Sequence, residues 1–395
     1  MKFDRRDFLR GAAAAGLSAG WLRGVAAGQQ VGQPKPQPYS QPGLPGTSVG
    51  RKFAPVKVSR ERVIREVVGL RPYRDEGYVV KAEYTGNKLV VHHYGHGGAG
   101  ITLSWGTAAE AVELVRGHRP APVRGRAAQR RYAVIGCGVI GLTTAIMLQR
   151  RYQDGPGTVT IYAKDLPPDT TSNIAGGFWS PTSLFDQDEV TPEWISSFRR
   201  SCRVANRAFQ LMVGEKYGVR WIDTFNLYRA EISVGGELAG GNDLYPNMQF
   251  HRDPDTYFGF PIVRQYSTML IEPQIYLAQL LRDFYIAGGK LVVREFKSRE
   301  EVMRLPEQVI FNCTGLGARE LFKDERLMPA RGQLSVLLPQ PEIDYCYLGP
   351  GYMFPRSDGI VLGGTFERGN ESLEVNRETA DGILNSHASI MRALS

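Results

Sequence analysis

Along the chain, short continuous apolar runs alternate with stretches in which apolar residues recur every three or four positions, as in a helix. The pattern is clearest between residues 132 and 148. Ala133 to Ile135 is a short apolar run that is typical of a buried strand. Glycines follow at positions 136, 138 and 141, and apolar spacing through Leu148 then predicts a helix. A strand, a tight turn and a helix are the context in which G-x-G-x-x-G indicates a dinucleotide-binding loop. The alternative is a glycine-rich turn without a ligand.

A strand is also predicted upstream of this loop. An apolar run begins at Val63, and we expect pairing to stop at Pro72, which lacks a backbone N–H. Arg71 then stands at a strand end, where binding sites are commonly built.

A hairpin and a second glycine-rich stretch come next. Residues 78–84 and 88–92 alternate as strands about a Gly86-Asn87 turn. Glycines are dense in 95–100, just before a helix predicted over 104–116, and such backbone can bind an anion or a ring. A plain flexible turn is the other interpretation.

The stretch after the dinucleotide loop completes a βαβ unit. Residues 158–163 predict its second strand, and Asp165 lies where a carboxylate would bind the ribose hydroxyls. Asp165 could equally be a solvated loop acid. Small and hydroxyl residues in 170–172 and 175–179 could line the phosphates and the ring.

The rest of the chain mixes helical and strand patterns. Residues 194–212 and 276–287 predict amphipathic helices, separated by aromatic-rich irregular strand. Residues 308–315 predict another buried strand that ends in a tight turn, and 377–394 predict a last helix.

Composition adds limits to this picture. A chain of 395 residues with 42% apolar side chains can form two domains with cores. The net charge of +8 comes from residues 1–30 and from six arginines in 116–131, so the remaining chain is close to neutral. This distribution argues against a nucleic-acid surface.

The N-terminus is predicted to be a targeting segment. Arg5-Arg6 followed by a modest Ala/Gly/Leu stretch resembles a twin-arginine export signal over residues 1–30. An ordinary basic N-terminus is the alternative. Residues 31–59, rich in Pro, Gly and Gln, predict a flexible tether.

Cysteine and metal chemistry are not indicated. The four cysteines show no C-x-x-C spacing, so a disulfide framework is not expected. No cluster of His, Cys and carboxylate residues has metal-ligand spacing.

Several spaced motifs together resemble the D-amino-acid oxidase family, which includes the D-aspartate oxidases. The resemblance covers most of the chain after about residue 60 and is weakest over 186–295. The motifs are the 134–142 loop, Tyr162-Ala163, Thr170 to Trp179, Asn312-Cys-Thr-Gly315, Arg331-Gly-Gln333, Tyr352 to Pro355, Gly363-Gly-Thr365, Gly69-Leu-Arg-Pro72 and His93-Tyr-Gly-His-Gly-Gly98.

The order of these motifs differs from that of the family. The Leu-Arg-Pro and Gly-His-Gly-Gly motifs come last there but precede the dinucleotide loop here, so a circular permutation is expected. The old termini would be joined by the linker 117–130, and the new ends, near Arg60 and Ser395, should be neighbours.

The resemblance implies an α/β fold, with a Rossmann-like FAD-binding domain and an α+β substrate domain that has a mixed or antiparallel sheet. The expected segments are export signal 1–30, tether 31–59, the permuted C-terminal part of the FAD domain 60–116, linker 117–130, the dinucleotide-binding part 131–185, mainly substrate domain 186–295, FAD domain 296–331, and mainly substrate domain with the last helix 332–395.

The resemblance also implies oxidative deamination of a D-amino acid with FAD and O2. Arg71 matches the arginine that binds the substrate carboxylate, and a guanidinium offers two parallel donors to a carboxylate. Tyr352 matches the family's carboxylate-binding tyrosine, and the Gly98 backbone matches the acceptor of the substrate amine. Tyr345 or Tyr347 could cover the pocket.

The cofactor positions are assigned in the same way. FAD is expected to contact the two glycine-rich loops and the segments near them, namely Gly136, Gly138, Val139, Ile140, Gly141, Asp165, Thr170, Thr171, Ser172, Gly176, Gly177, Phe178, Phe296, Thr314, Gly315, Gly97, Gly98, Ala99, Gly100, Ile101 and Thr102.

Departures from the family limit the substrate. Lys164 stands at the usual ribose-acid position and cannot accept the ribose hydroxyls. Tyr345 and Phe366 replace two side-chain-binding arginines of D-aspartate oxidases, so neutral or apolar D-amino acids are expected. Arg368 or Arg264 reaching the pocket would overturn this expectation.

Other functions stay open at this point. They are a D-aspartate or D-glutamate oxidase, a glycine- or sarcosine-type amine oxidase, a dehydrogenase that avoids oxygen, and a flavin-binding protein without catalysis. The leader implies export machinery as a partner and a periplasmic or extracellular location, with membrane tethering if it is not cleaved. The sequence does not indicate the oligomeric state.

Overall fold

Two β-sheets and the helices around them make up the part of the chain that the computed structural model describes. That part is residues 52–117, 130–152, 158–230, 238–252 and 257–394. The predicted leader, most of the predicted tether and nearly all of the predicted linker lie outside the described residues.

The strands, in chain order, are β1 (Val63–Tyr73), β2 (Val79–Thr85), β3 (Lys88–Tyr94), β4 (Tyr132–Ile135), β5 (Val159–Ala163), β6 (Val219–Tyr228), β7 (Gln249–Arg252), β8 (Ile262–Ile271), β9 (Lys290–Val293), β10 (Val309–Asn312), β11 (Met328–Leu337), β12 (Tyr345–Leu348), β13 (Tyr352–Arg356), β14 (Gly359–Gly363) and β15 (Glu367–Arg368). The α-helices are α1 (Gly100–Glu113), α2 (Val139–Tyr152), α3 (Thr171–Ile174), α4 (Pro192–Gln210), α5 (Pro273–Ile286), α6 (Arg299–Met303), α7 (Gly317–Leu321) and α8 (Arg377–Arg392). Short 3-10 turns cover Arg60–Arg62, Gly97–Ala99, Gln187–Glu189 and Asn242–Leu244.

The smaller sheet has the strand order β2-β3-β10-β4-β5-β9. Strands β3, β10, β4, β5 and β9 are parallel, and β2 closes one edge as the antiparallel arm of its hairpin with β3. Every side chain of β4, β5 and β10 is buried, as expected for parallel strands covered on both faces. This sheet confirms the predicted Rossmann-like part of the fold.

The larger sheet is mixed and mostly antiparallel, with the order β1-β11-β14-β13-β12-β6-β8-β7 and β15 paired with β11. Helix α8 packs on one of its faces, where Ile383, Leu384 and Met391 join a core cluster with Phe225 and Met353. Asn376 begins α8, and its side chain accepts a hydrogen bond from the Thr379 N–H at 2.8 Å.

Two expectations about element boundaries are wrong. Strand β1 continues through Pro72 to Tyr73. Pro72 lies opposite Pro329 in β11, and because neither proline has a backbone N–H, this pair needs no hydrogen bond between them. Helix α1 begins at Gly100, since the 3-10 turn before it leads directly into the helix. The predicted domain segments stay a prediction; β1, within 60–116, belongs to the larger sheet, and β9, within 186–295, belongs to the smaller one.

The two ends of the described chain are neighbours, as the sequence predicts. The Val56 N–H points to the Met391 sulfur at 3.1 Å, and Arg60 forms an ion pair with Asp381 in α8. The Tyr345 hydroxyl donates to the carbonyl oxygen of Ala54 at 2.8 Å. Residues 53–58 therefore lie against the C-terminal helix.

Candidate active site and cofactor site

Three loops meet at one edge of the smaller sheet. Because β3, β4 and β10 are parallel, the loops at their carboxyl ends lie side by side. They are residues 95–100, which lead into α1, residues 136–138, which lead into α2, and residues 313–315. The first loop comes from residues 52–117 and the other two from the later part of the chain.

The 136–141 loop has the backbone that the glycine spacing predicts. Gly136 has a φ of 113°, and a β-carbon there would lie 2.4 Å from the Cys313 carbonyl oxygen. A β-carbon on Gly141 would lie 2.0 Å from the carbonyl oxygen of Gly136. Both glycines are therefore required by close backbone approach, and the N-terminus of α2 points out of the sheet edge.

The 170–172 segment lies against this loop. Ser172 in α3 accepts a hydrogen bond from the Val139 N–H at 3.0 Å, while Thr170 donates to Asn173 at 2.8 Å. Thr314 donates to the side chain of Asn312 at 2.7 Å, which fixes the neighbouring turn. The structure thus brings together the predicted hydroxyl residues and the dinucleotide loop.

Two predicted cofactor positions lie further along the same edge. Asp165 follows β5 and is exposed, with its carboxylate 3.9 Å from the Lys164 amine. Phe296 is 7% exposed and packs against Tyr162, with ring centroids 6.0 Å apart. The Arg294 guanidinium lies 4.5 Å from the centroid of the Phe296 ring.

Arg71 and Tyr352 come together on one face of the larger sheet. Partners in a ladder share a face, and the pairs Arg71–Ala330 and Gly363–Tyr352, linked through β11 and β14, place both side chains on the same side. The pKa of Tyr352 is raised by burial, and the adjacent Arg71 guanidinium opposes that rise. We call this pair the Arg71–Tyr352 clamp.

Backbone carbonyls hold the guanidinium in place. Arg71 Nη1 donates to the carbonyl oxygen of Thr365 at 3.2 Å and, at the limit of a hydrogen bond, to that of Ala330 at 3.5 Å. Phe366 packs beside it, with the guanidinium carbon 5.5 Å from the ring centroid. A guanidinium held this way can present two parallel donors to a carboxylate.

Stacked aromatic rings extend from the clamp to Phe178, whose carbonyl oxygen lies 3.4 Å from the Thr102 hydroxyl of α1. Phe178 stacks on Phe354 at 4.9 Å, and Phe354 stacks on Tyr352 at 4.8 Å. A β-carbon on Gly176 would lie 2.8 Å from the Phe354 ring. The predicted 176–178 segment therefore lies between the glycine-rich edge and the clamp.

Gly98, in the 95–100 loop, lies against residues 182 and 183. It is exposed, and its N–H donates to the Ser183 carbonyl oxygen at 2.9 Å. Thr102 is 2% exposed, and its hydroxyl oxygen lies 3.3 Å from the Ser180 N–H. The 97–102 segment is thus fixed against residues 178–183.

Tyr347 does not cover the pocket, and neither does Tyr345. Tyr347 pairs with Met353, so its side chain is on the face opposite Tyr352, and Tyr345 shares that opposite face. Both tyrosines are 0% exposed in the core beneath α8. The Tyr347 hydroxyl donates to His387, whose other ring nitrogen donates to the Gly363 carbonyl oxygen at 3.0 Å. The prediction that Tyr345 or Tyr347 covers the pocket is therefore wrong, because successive side chains of a strand point to opposite faces and these two point into the core.

The arginines that could change the substrate preference have other partners. Arg368 makes two hydrogen bonds to Asp186, at 2.6 and 2.7 Å, and one to the Tyr73 hydroxyl at 2.9 Å. Arg264 is 7% exposed and lies over the Tyr228 ring at 5.5 Å. Its strand position places it on the clamp's face, beyond β12 and β6.

The histidines beside the glycine-rich loop are structural. His96 Nε2 contacts the Thr107 hydroxyl at 3.0 Å, and its ring stacks on Tyr78 at 5.2 Å. Burial lowers the pKa of His96 to about 3. His93 is fully buried as well, and burial holds its pKa well below 6.5. Neither imidazole is protonated at neutral pH.

The described ranges contain no group of three or more His, Cys, Asp or Glu residues that could hold a metal ion. No helix in the same ranges is long and apolar enough to span a membrane. All four cysteines are buried and unpaired, and burial raises the pKa of the Cys137 and Cys313 thiols to about 12.

Comparison with known proteins decides the family. The family model described as FAD dependent oxidoreductase (DAO) matches residues 131–394. The chain belongs to this family. A D-amino-acid oxidase of Rubrobacter xylanophilus is 33% identical over 284 residues, which cover 66% of this chain and 77% of the relative. A D-aspartate oxidase of Homo sapiens is 28% identical over 263 residues, covering 64% and 74%.

Solved structures agree on the fold. An L-proline dehydrogenase from P. horikoshii superposes with a TM-score of 0.51 at 15% identity, covering 67% of this chain and 78% of that one. A glycine oxidase from Bacillus cereus gives a TM-score of 0.50 at 15% identity, covering 67% and 79%. At such identities the likeness supports the fold alone.

The residues present fit the FAD of this family of oxidases. A diphosphate needs N–H donors and backbone that it can approach closely, and the second glycine of the motif, Gly138, stands where such approach is needed, just before the N-terminus of α2. Gly136 and Gly141 allow the turn and the helix to pack closely around it. The same edge carries hydroxyls at positions 172 and 314. Residues 136–141, 170–172, 314–315 and 97–102 are those that would hold the cofactor.

Proposed function

We propose that this oxidase converts D-amino acids with neutral side chains to 2-oxo acids, ammonia and hydrogen peroxide. The observation that carries the proposal is the Arg71–Tyr352 clamp at the end of the aromatic stack that leads from the glycine-rich edge. FAD, when bound, accepts the two electrons of the substrate and passes them to O2.

The chain itself orients the substrate. Arg71 binds the carboxylate with two donors, and the Tyr352 hydroxyl donates a further hydrogen bond to it. The exposed backbone at Gly98 accepts from the substrate amine. No titrating base is needed here, which agrees with the neutral, buried state of His93 and His96.

A neutral substrate side chain fits the surroundings of the clamp. Phe366, which is 38% exposed, provides an apolar wall beside Arg71. Arg368, whose guanidinium carbon lies 5.8 Å from the centroid of the same ring, is already bound to Asp186 by two hydrogen bonds. A second carboxylate at this point would have to compete with that ion pair.

A D-aspartate or D-glutamate oxidase is the second candidate. It is favoured by one observation, the presence of Arg264 on the same sheet face as Tyr352. If Arg264 binds a distal carboxylate, Arg264→Gln will reduce turnover of D-glutamate and leave that of D-alanine unchanged.

Oxygen consumption with peroxide detection tests the proposal across D- and L-amino acids, glycine and sarcosine. We expect turnover of neutral D-amino acids and none of their L-enantiomers. Activity on D-aspartate or D-glutamate alone would contradict the preference. Flavin reduction without peroxide would indicate a dehydrogenase, and no reduction would indicate a non-catalytic flavoprotein.

We also propose that the chain is a circular permutant of its family. Residues 52–117 precede the matched segment yet supply strands to both sheets, and the described ends touch each other. Relatives extend beyond the matched part by about a quarter of their length, which is room for the permuted segment.

We further propose export through the twin-arginine route, carried by residues 1–30. Fusion of these residues to a reporter that is active only outside the cytoplasm tests this. Loss of export on Arg5→Lys with Arg6→Lys is expected, and unchanged export would contradict it.

A further inference from the structure

Three glycines underlie the clamp. Gly332 follows Ala330 by two residues along β11 and so faces the same side of the sheet as Arg71, while Gly363 lies opposite Tyr352. Gly364 follows directly. We call Gly332, Gly363 and Gly364 the glycine floor.

The Arg71 guanidinium lies directly on Gly332. A β-carbon at position 332 would be 2.2 Å from Nη1, 2.5 Å from Nη2 and 2.6 Å from Cζ of Arg71. Real β-carbons do not approach other heavy atoms this closely. An alanine here must therefore displace the guanidinium.

The Tyr352 ring lies on Gly363 and Gly364 in the same way. A β-carbon on Gly363 would be 2.1 Å from Cζ and 2.6 Å from the hydroxyl oxygen of Tyr352. A β-carbon on Gly364 would be 2.7 Å from that oxygen. Both members of the clamp thus lie flat on bare backbone.

A positive φ does not explain these glycines. None of the three has the positive φ that favours glycine, whereas Gly136 and Gly177 do, at 113° and 83°. The close approach of the Arg71 and Tyr352 side chains is the reason for glycine that the structure shows at these positions. The Gly363 carbonyl is held by His387, so this part of the floor is fixed from the opposite side.

We infer that the glycine floor sets the height of the Arg71–Tyr352 clamp, and that Gly332 is a positioning residue for the substrate carboxylate. The inference rests on the proposed function, and it explains what holds the Arg71 and Tyr352 side chains in position. A β-carbon would lift the guanidinium by about 1 Å, and a misplacement of about that size can reduce turnover roughly 100-fold.

Gly332→Ala tests this, with Gly382→Ala as the control. Gly382 lies exposed in α8, and a β-carbon there meets no atom within 4 Å. Benzoate, a carboxylate without an amine, is titrated against the FAD-loaded enzyme by flavin absorbance, and D-alanine kinetics are measured in parallel. We expect Gly332→Ala to lower kcat/KM for D-alanine about 100-fold and to raise the benzoate Kd, with FAD content unchanged and the control like wild type.

The effect must also depend on Arg71. In an Arg71→Ala background, Gly332→Ala should change kcat/KM by less than about threefold, because no guanidinium remains to be displaced. Equal losses in both backgrounds would overturn the inference, as would normal benzoate binding by Gly332→Ala. Benzoate binding needs no turnover, so the test holds even if D-amino acids are not the substrate.

A second variant covers the case in which Gly332→Ala does not fold. Gly364 is exposed, so Gly364→Ala is expected to fold, to weaken benzoate binding about tenfold, and to lose most of this effect in a Tyr352→Phe background. An effect that is the same in both backgrounds would overturn the inference.

Discussion

Residues 52–117 and residues 131–394 differ in whether a family model matches them, although both contribute strands to the same two sheets. The family model matches only the second region. Yet β1 from the first region pairs with β11 along its whole length, and β3 lies between β2 and β10 in the smaller sheet. The first region is therefore an integral part of both sheets.

The active site that we propose is divided between the two regions. Arg71 and Gly98 come from the first, whereas Tyr352 and the dinucleotide loop come from the second. A match that begins at residue 131 thus contains the loop that we expect to bind the cofactor and lacks the group that we expect to bind the substrate carboxylate. The comparison shows that a family match marks the common core and does not delimit the site.

Removal of the first region should have the largest effect. A chain of residues 131–394 leaves β11 without its β1 partner and β10 without β3, so the edges of both sheets are exposed. We expect no soluble, FAD-loaded protein, and recovery when residues 52–117 are co-expressed. Soluble yield and the flavin-to-protein ratio measure this, and a soluble yellow protein from 131–394 alone would contradict it.

Arg71→Ala should reduce kcat/KM for D-alanine by about 10³-fold, because it removes two charge-assisted hydrogen bonds to the carboxylate. Arg71→Lys should recover only part of the loss, since an ammonium has no fork of donors. Full activity in Arg71→Ala would show that the clamp is wrongly assigned.

Low pH should destabilise both regions through buried imidazoles. Burial lowers the pKa of His96 in the first region to about 3 and that of His387 in the second to about 4, from 6.5. Protons therefore bind the unfolded chain first, so stability is full above pH 6.5 and is lost as the pH falls from 6.5 towards 4. For His387 the loss is about 3 kcal/mol.

Urea unfolding at pH 7, 5.5 and 4.5 measures this loss. His387→Gln should be less stable than wild type at pH 7 and should lose less stability than wild type between pH 7 and 4.5. An unfolding free energy that is constant over this range would contradict the prediction.

Tyr352→Phe should have a smaller effect than Arg71→Ala, about tenfold in kcat/KM, because one neutral hydrogen-bond donor is lost and the ring stays on the glycine floor. Kinetics with D-alanine test this, with Tyr345→Phe on the opposite sheet face as the matched control. A larger loss in the control than in Tyr352→Phe would contradict the assignment.

Rearranging the chain into the order that we propose for the family should have the smallest effect. A chain that begins at Arg131, joins Ser395 to Lys52 through a short Gly/Ser linker and ends at Gly117 keeps the elements of both sheets. We expect activity within a few-fold of the natural order, because the ends to be joined lie close together. An inactive, unfolded product would contradict the permutation.

Local patterns predicted most of the elements around the cofactor. The strand, turn and helix at 132–152 and the hairpin about Gly86 are confirmed, because short-range apolar spacing and turn glycines determine them. The order of the motifs along the chain did not affect the prediction of these elements, since each motif is local.

Long-range pairing accounts for what the sequence could not predict. Pro72 continues a strand because its partner is Pro329, and Tyr347 is buried because its register with Met353 turns it towards α8. The carbonyl of Thr365 on Arg71 and the glycine floor depend on strands that are distant in the chain. The Gly363-Gly-Thr365 motif marked this region in the sequence, but it did not show that Arg71 and Tyr352 contact it.

The central claim is that side chains from the two regions form one carboxylate clamp. A double-mutant cycle of Arg71→Ala and Tyr352→Phe, with benzoate Kd as the measured quantity, tests it most directly. We expect the two losses not to be additive, with a coupling of about 1 kcal/mol or more. Additive losses would show that the two side chains act independently, and would contradict the claim.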